Sequence, residues 1–463
     1  MLFNSYTFWI FFAIVLVIHR WLPHRGQNRL LLVASYVFYG YWDWRFLSLI
    51  FASTVIDYFV ALSISQERRH PRQKKRLLLI SLGFNLGMLG VFKYLNFFIE
   101  ETSALLRALG VEVSDASLGI ILPVGISYYT FQTLSYTVDV YRGKTPAVRG
   151  FLDFALYVSF FPQLVAGPIE RSTRLMPQII NPRAPAANAF RDGLYHIAYG
   201  LFMKIVVADN MAVLANYVFG LPSGELGGVT VMVGVYAFAF QIYADFAGYS
   251  SIAKGVARWL GFDLMTNFNH PYFSASPREF WQRWHISLSS WLRDYLYIPL
   301  GGNRGGAWKT ARNLMTTMLL GGLWHGANWT FLIWGAIHGL WLVVYRAVGE
   351  RDGLHLVKVF VTFHLVCLTW LFFRAETLPQ ATSMLWALGG GWRLDAFAQF
   401  ALATMAFYLV PLIAYEIWAE RRGDLLALTR VPWPVRAGVY IYVTLMLLYF
   451  SAPVQNEFIY FQF

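Results

Sequence analysis

The sequence predicts an all-α polytopic membrane protein that forms a single domain over residues 1–463. Apolar residues make up 57% of the chain and aromatic residues 18%, whereas charged residues make up only 13%. Soluble domains carry about 25% charged residues. Apolar runs recur from one end of the sequence to the other, with no fixed-period repeat or linker between them. One helix needs about 20 apolar residues to cross a bilayer, so we expect roughly 11 transmembrane helices.

The net charge and the cysteine content exclude several classes of partner and site. The net charge of +12 comes from Lys and Arg residues in short segments between the apolar runs. The positive-inside rule accounts for such segments, so they indicate a membrane-lipid environment and no nucleic-acid partner. The single cysteine, Cys367, excludes an internal disulfide and a cysteine-based metal site. We predict no metal site.

The apolar runs define the predicted spans in order. The first run lacks a basic leader and a cleavage site, so it is interpreted as a retained span rather than a removed signal peptide. The runs lie at Tyr6 to Leu22, Leu30 to Trp42, Phe46 to Ile64, Leu77 to Ile99, Leu118 to Tyr141, Leu194 to Phe219, Val229 to Ser251, Leu319 to Gly339, Leu354 to Phe373, Ala381 to Leu388, Phe397 to Trp418 and Val435 to Ser451.

Charged segments between the runs predict their orientation. The basic run from Glu67 to Arg76, ERRHPRQKKR, is expected on the cytoplasmic side, which places the N-terminus outside. The next segment, from Glu100 to Ser117, carries four acidic residues and suits the opposite face. A later group of arginines, from Arg421 to Arg436, again marks a cytoplasmic loop.

Two polar features interrupt the apolar pattern. The stretch from Phe160 to Pro185 mixes prolines and charges with short apolar pieces, which indicates either a re-entrant segment lining a cavity or a plain cytoplasmic loop. Asp245 lies well inside an apolar run. A buried carboxylate needs a partner, so Asp245 either orients a site residue or cross-links helices.

A capped amphipathic helix is predicted between the apolar run that ends at Ser251 and the stretch that begins at Leu319. Ser276 and Glu279 form a capping box around Pro277, where the helix should begin. We expect one helix to Pro299 with an aromatic face and a polar stripe, ending at the glycine-rich turn GGNRGG. The aromatic face comprises Trp281, Trp284, Leu288, Trp291 and Tyr295, and the polar stripe comprises Gln282, His285, Ser289 and Arg293. A helix at the membrane interface is the simpler alternative.

His325 lies in the stretch LLGGLWHGANWTFLIWGAIHG, from Leu319 to Gly339, within a run from Asn313 to Tyr345 that carries no Asp, Glu, Lys or Arg. The stretch is either two helices that meet or one helix interrupted at Gly326, Ala327 and Asn328. A lone histidine among apolar residues is commonly a packing residue. Ionisable groups at membrane depth are also functional candidates, because their burial is costly. His338, in the same stretch, is interpreted as structural.

Four stretches together carry a resemblance to a known family. They are PQLVAGPIERSTRLMPQI, DFAGYSSIAKGVARWLGFDLMTNFNHPY, EFWQRWHISLSSWLRDYLYIPLGGNR and LLGGLWHGANWTFLIWGAIHG. With these stretches, the sequence resembles the membrane-bound O-acyltransferase (MBOAT) superfamily, and more closely its bacterial alginate O-acetyltransferase branch. This resemblance implies an MBOAT-like helical bundle with re-entrant or interfacial helices around an intramembrane tunnel, in the bacterial cytoplasmic (inner) membrane.

The resemblance also implies roles for individual residues. The family's invariant histidine falls on His325, and the histidine characteristic of this branch falls on His285. We expect His325 to deprotonate the acceptor hydroxyl or to shuttle the acyl group. His285 would orient the donor or stabilise the developing oxyanion. Weaker candidates for donor binding are Asn328, Arg293, Trp284 and Trp324, and candidates for an orienting role are Asp245 and Ser289.

The expected reaction is acetyl transfer from a cytoplasmic thioester toward hydroxyls of an exported polysaccharide such as alginate. No cofactor is expected to be bound permanently, because acetyl-CoA or another acyl thioester serves as the donor substrate. The resemblance also implies a periplasmic or membrane-anchored acetyltransferase partner. The alternatives are D-alanyl or other acyl transfer from a carrier protein to a cell-wall polymer and, outside the family, a transporter or flippase.

Overall fold

The computed structural model describes residues 1–66, 68–113, 118–165, 167–183, 186–349, 353–454 and 456–459. Throughout these ranges, the regular elements are helices. The chain forms two compact units, one of Met1–Ala186 with Ala257–Leu264, the other of Ala187–Val256 with Met265–Phe463. The interpretation of residues 1–463 as one domain stays a prediction.

The first unit contains nine α-helices among its described residues. They are α1 (Tyr6–Trp21), α2 (His24–Asp43), α3 (Leu47–Ile64), α4 (Pro71–Leu89), α5 (Leu95–Ala108), α6 (Ile126–Tyr141), α7 (Phe151–Ser159), α8 (Phe161–Leu164) and α9 (Ser172–Ile180), with a 3₁₀ turn at Trp44–Phe46 and a π-helical turn at Gly90–Tyr94.

A buried carboxylate joins three helices of this unit. Asp57 on α3 accepts hydrogen bonds from Ser81 and Asn85 on α4 and from Thr137 on α6, with Asn85 Nδ2 at 2.8 Å and Thr137 Oγ1 at 3.1 Å. Each of these donors replaces a water molecule that the carboxylate loses on burial. Asp57 therefore fixes α3, α4 and α6 against one another.

The second unit contains the remaining helices described. They are α10 (Ala189–Leu201), α11 (Asp209–Phe219), α12 (Gly228–Trp259), α13 (Pro277–Arg283), α14 (Ile286–Leu292), α15 (Ala307–His325), α16 (Trp329–Val348), α17 (His355–Arg374), α18 (Leu378–Ala387), α19 (Ala396–Arg422) and α20 (Trp433–Tyr449), with π-helical turns at Phe202–Ala208 and Arg293–Tyr297 and 3₁₀ turns at Ser223–Glu225, Pro271–Phe273 and Ala427–Arg430.

Most predicted spans correspond to helices. Seven helical runs within the described residues are long and apolar enough to cross a membrane, namely His24–Ile64, Pro71–Ala108, Ala189–Phe219, Gly228–Trp259, Trp329–Val348, His355–Arg374 and Ala396–Arg422. The first three runs each contain more than one helix, and Tyr6–Trp21 and Phe151–Leu164 are shorter apolar segments. The chain is therefore a multi-pass helical membrane protein, and a total near eleven spans stays a prediction.

Several predicted boundaries were wrong. The run from Leu118 to Tyr141 is helical only from Ile126, because Pro123 and the left-handed Gly125 (φ 76°) precede the helix. The basic segment does not stay a loop, since α4 begins at Pro71 with His70 as its cap. The acidic segment is helical as far as Ala108, and Asp115 lies outside the described residues.

The stretch from Phe160 to Pro185 folds as two short helices, α8 and α9. Phe160, Phe161 and Leu164 are buried, and so is Glu170. This burial favours a structured segment over a plain loop, while its depth in the membrane stays a prediction. Ala184 and Pro185 lie outside the described residues.

Candidate active site

The stretch around His325 folds as two helices that meet at a break, as one of the two sequence alternatives predicts. Helix α15 ends at His325, and Gly326 continues in an extended conformation. Asn328 caps α16: its Oδ1 accepts from Thr330 N at 3.0 Å, and its Nδ2 donates to Glu376 O at 2.9 Å. The break therefore places His325 at the very end of a helix.

Three aromatic rings surround the His325 imidazole. The ring centroids of Trp324, Trp334 and Phe373 each lie 5.1 Å from the imidazole centroid, at interplanar angles of 79°, 85° and 72°. These edge-to-face contacts are the favoured geometry for aromatic pairs. His325 is only 4% exposed, so its ring plane is set by packing against these neighbours.

His285 occupies a second break, between α13 and α14. Its backbone is left-handed, with φ 42° and ψ 55°, and its side chain is fully buried. The imidazole packs against Phe246 at 4.5 Å between ring centroids and stacks on Phe268 at 6.4 Å. Non-glycine residues with this backbone conformation are uncommon and cluster at functional sites.

Trp324 connects the two histidines. Its indole lies 5.9 Å from the His285 ring and 5.1 Å from the His325 ring, measured between centroids. Two histidines that are distant in sequence therefore contact the same side chain, inside the second unit. We call these three residues the histidine cluster.

The prediction of one continuous helix from Pro277 to Pro299 was wrong. The predicted cap is present, since Ser276 Oγ accepts from Glu279 N at 3.1 Å and Glu279 Oε2 accepts from Ala275 N at 2.8 Å, but α13 ends at Arg283. The first amides of α14 bond instead to Asn267, whose backbone oxygen accepts from Ile286 N at 2.9 Å. His285 consequently leaves the predicted polar stripe and enters the apolar interior. The glycine-rich segment after α14 is a turn, as predicted.

Burial keeps the His285 imidazole neutral. His285 lies between α12 and α15, outside the seven candidate spans. Loss of hydration penalises the protonated form and lowers the pKa of His285 to about 3. At neutral pH the ring therefore carries one N–H donor and one acceptor nitrogen.

The other candidates for donor binding occupy different places. Trp324 belongs to the histidine cluster, whereas Trp284 is buried beside it, 5.1 Å from Phe268 and 4.9 Å from Trp370. Arg293 is 63% exposed and forms an ion pair with Asp294 at 2.8 Å, outside the buried cluster. Roles in donor binding for these residues and for Asn328 stay predictions.

The two residues predicted to orient the site make structural contacts. Ser289 Oγ donates to the backbone oxygen of Trp284 at 3.0 Å, which ties α14 back to the end of α13. Asp245 accepts from Lys204 Nζ at 2.9 Å and from Ile459 N at 2.7 Å. Lys204 also contacts Asp209 at 2.9 Å. This is the arrangement expected of a cross-link between helices.

Sequence reasoning missed most of the walls of the cluster. Phe246, Phe268, Trp334 and Phe373 gave no signal distinct from ordinary apolar packing. Lys204 did give a signal that was overlooked, because it is a charged residue inside an apolar run.

His338 hydrogen-bonds Thr369 Oγ1 at 3.0 Å. No group of His, Cys, Asp and Glu that could hold a metal ion occurs in the part of the chain that the structure describes.

The comparisons with known proteins agree with this architecture. Residues 31–351 match the MBOAT, membrane-bound O-acyltransferase family. The chain is 44% identical over 401 residues to the probable alginate O-acetylase AlgI of Pseudomonas putida, covering 85% of this chain and 82% of that protein. It is 42% identical over 440 residues to the probable alginate O-acetylase AlgI of Azotobacter vinelandii, with 93% and 87% covered. It is 38% identical to the peptidoglycan O-acetyltransferase of Helicobacter pylori, with 78% and 73% covered.

These matches and the fold define a multi-pass membrane enzyme that transfers acyl groups to oxygen. The chain belongs to the membrane-bound O-acyltransferase family.

Proposed function

We propose that the chain transfers an acetyl group from a cytoplasmic thioester donor toward hydroxyls of an exported polysaccharide such as alginate. The support is the 44% and 42% identity to two probable alginate O-acetylases. Acetyl-CoA or another acyl thioester is the donor, and the reaction takes place in the inner membrane. A periplasmic or membrane-anchored acetyltransferase completes delivery to the polymer.

The observation that carries this proposal is the histidine cluster itself. In the proposed step, His325 accepts the proton of the acceptor hydroxyl, and the hydroxyl oxygen attacks the thioester carbonyl. The carbon–sulfur bond then breaks, and the leaving thiolate takes the proton from His325. A base for this step must be largely neutral at pH 7, and a buried imidazole meets that requirement.

His285 has the complementary role in the proposal. A neutral imidazole can direct its single N–H toward the oxygen on which negative charge develops. The aromatic walls around both histidines exclude water, which strengthens such an interaction by lowering the local dielectric. One imidazole then acts as the base while the other remains a hydrogen-bond donor.

A matched pair of substitutions tests the role of His325. His325→Gln removes the base and should lower acylation of the exported polymer by roughly 10²- to 10⁴-fold, the usual contribution of a general base. His338→Gln is the control, since His338 is also buried, lies on the adjacent helix and can keep its hydrogen bond to Thr369 as glutamine. The control should retain normal acylation.

The assay measures the acyl groups on the polymer per molecule of folded protein in the membrane. Living cells supply both the donor and any partner protein, and mass spectrometry of the released acid distinguishes acetate from D-alanine. Near-normal acylation by His325→Gln would exclude His325 as the base. D-alanine in place of acetate would leave the histidine roles intact and replace the proposed acyl group.

A further inference from the structure

We propose that Asn267 is a positioning residue that holds the His285 imidazole in the histidine cluster. This inference rests on the proposed function of His285. Asn267 lies in the segment between α12 and α13, and its side chain is only 2% exposed. It belongs to the same compact unit as both histidines.

The Asn267 side chain caps α14 from outside that helix. Its Oδ1 accepts hydrogen bonds from Ser287 N at 3.2 Å and from Ser287 Oγ at 2.9 Å. Its backbone oxygen accepts from Ile286 N at 2.9 Å. The first amides of a helix have no partner inside the helix, so an external acceptor satisfies them as an N-cap would. Helix α14 can therefore begin immediately after His285.

The same segment also holds the chain before His285 and covers its ring. Asn269 N donates to Arg283 O at 3.0 Å. Between the two asparagines, the Phe268 ring stacks on the His285 imidazole at an interplanar angle of 14°. Residues 267–269 thus contact the chain on both sides of His285 and the side chain itself. We call these three residues the clamp.

The clamp explains the unusual backbone of His285. The left-handed conformation is strained for a non-glycine residue, and surrounding contacts must offset that strain for it to persist. The hydrogen bonds that Ile286 and Ser287 donate to Asn267 begin one residue after His285. Without the Asn267 side chain, the α14 terminus loses an acceptor, and the chain around His285 can relax toward a conformation that moves the imidazole.

Asn267 is itself fixed by a further contact. Its Nδ2 donates to Ser250 Oγ on α12 at 3.2 Å. Helix α12 also supplies Phe246, which packs on the His285 ring at 4.5 Å between ring centroids. Helix α12 therefore fixes the position of His285 in two ways, by direct packing of Phe246 and through the hydrogen bond between Asn267 and Ser250.

Two substitutions of Asn267 and one control substitution test the inference. Asn267→Ala removes the cap and should lower polymer acylation about 10- to 100-fold, because a displacement near 1 Å can cost about 10²-fold. Asn267→Asp keeps the Oδ1 acceptor and should restore most of the activity. Asn313→Ala is the control, since Asn313 is a similarly buried asparagine whose side chain bonds the backbone of Gly302. The control should keep its acylation.

A second measurement reports on His285 directly. Purified full-length protein is treated with diethyl pyrocarbonate, and modification of His285 is quantified by mass spectrometry alongside the apparent unfolding midpoint. His285 is fully buried, so wild type and Asn313→Ala should react slowly there and Asn267→Ala faster, without a larger drop in midpoint than the control shows. Asn267→Asp should restore the protection of His285 from modification.

The outcomes separate this inference from the proposed function. Wild-type acylation by Asn267→Ala, or His285 reactivity equal to that of wild type, overturns the positioning role. A His285→Ala variant is measured in parallel. If it acylates normally, the proposed role of His285 fails and the positioning role fails with it. If His285→Ala is inactive while Asn267→Ala is active, only the positioning role of Asn267 is wrong.

Discussion

At the scale of single residues, the aromatic walls determine what the two histidines can do. His325 has three ring neighbours at 5.1 Å, and His285 has Phe246, Phe268 and Trp324 around it. Packed rings leave an imidazole little freedom to rotate, and they keep water from solvating a positive charge. The site therefore favours imidazoles of fixed orientation, and burial favours the neutral form of His285.

The low pKa of His285 predicts an acid-sensitive fold. A histidine in an unfolded chain has a pKa near 6.5, whereas burial lowers the pKa of His285 to about 3. Between these values the unfolded state binds a proton that the folded state does not, so stability rises with pH across the window. Lowering the pH from 7 to 5 should cost about 2 kcal/mol through this residue.

The measurement compares wild type with His285→Gln, which does not titrate. The apparent unfolding midpoint of purified protein at pH 7 and pH 5 should fall further for wild type than for the variant. Other titrating groups are common to both proteins and cancel in the comparison. Equal decreases would mean that His285 is not the source of the acid sensitivity.

The sequence predicted both histidines as candidates but not what surrounds them. His325 stands out because it is an ionisable group in a long uncharged stretch, and His285 stands out through its place in the predicted polar stripe and through the resemblance to a family. Trp324 was a weak candidate and proves to contact both rings. Phe246 and Phe373 come from distant helices, and no local spacing encodes such a pairing.

At the scale of elements, one helix break was predictable and the other was not. Gly326 and the capping residue Asn328 are local signals, and α15 and α16 are separated at these residues. The break at His285 has no glycine or proline to mark it in the sequence. The first amides of α14 instead find their acceptors on Asn267, which lies in another segment. Local propensity favoured a continuous helix there, and a tertiary contact overrode it.

The close packing of α15 on α16 predicts a sharp effect of one methyl group. A Cβ added at Gly322 would lie 2.2 Å from Phe331 O, which is backbone of the facing helix. Gly322→Ala must therefore separate the two helices near His325. We expect a loss of polymer acylation together with a lower apparent unfolding midpoint, both measured on membranes containing equal amounts of protein.

Gly87→Ala is the matched control on another helix. Gly87 lies on α4, and a Cβ built there meets no atom within 4 Å. Alanine is a better helix former than glycine by about 1 kcal/mol, so this variant should keep its activity and be at least as stable as wild type. Normal acylation by Gly322→Ala would show that the helix contact near His325 tolerates separation.

At the scale of the whole molecule, residues 456–459 help to support the site. In the second unit, Lys204 Nζ donates to Asn456 O at 2.9 Å, and Asp245 accepts from Ile459 N. Phe458 packs on Phe246 at 5.7 Å between ring centroids, and Phe246 packs on His285. The buried Lys204 and Asp245 thus hold a terminal segment that supports the wall of the histidine cluster.

The charge distribution predicts the orientation of the chain in the membrane. Cysteines introduced at two positions test this prediction. The basic residues at the start of α4 should face the cytoplasm, and the acidic segment after α5 should face the opposite side. Lys75 and Glu112 are both exposed on these two segments. The native Cys367 is buried, so cysteines introduced at the two positions report their own accessibility.

In intact spheroplasts, a membrane-impermeant maleimide should label Glu112→Cys and should label Lys75→Cys only after permeabilisation. Wild type, which retains Cys367, gives the background in both conditions. The opposite pattern would place the N-terminus in the cytoplasm and reverse every loop assigned from its charge.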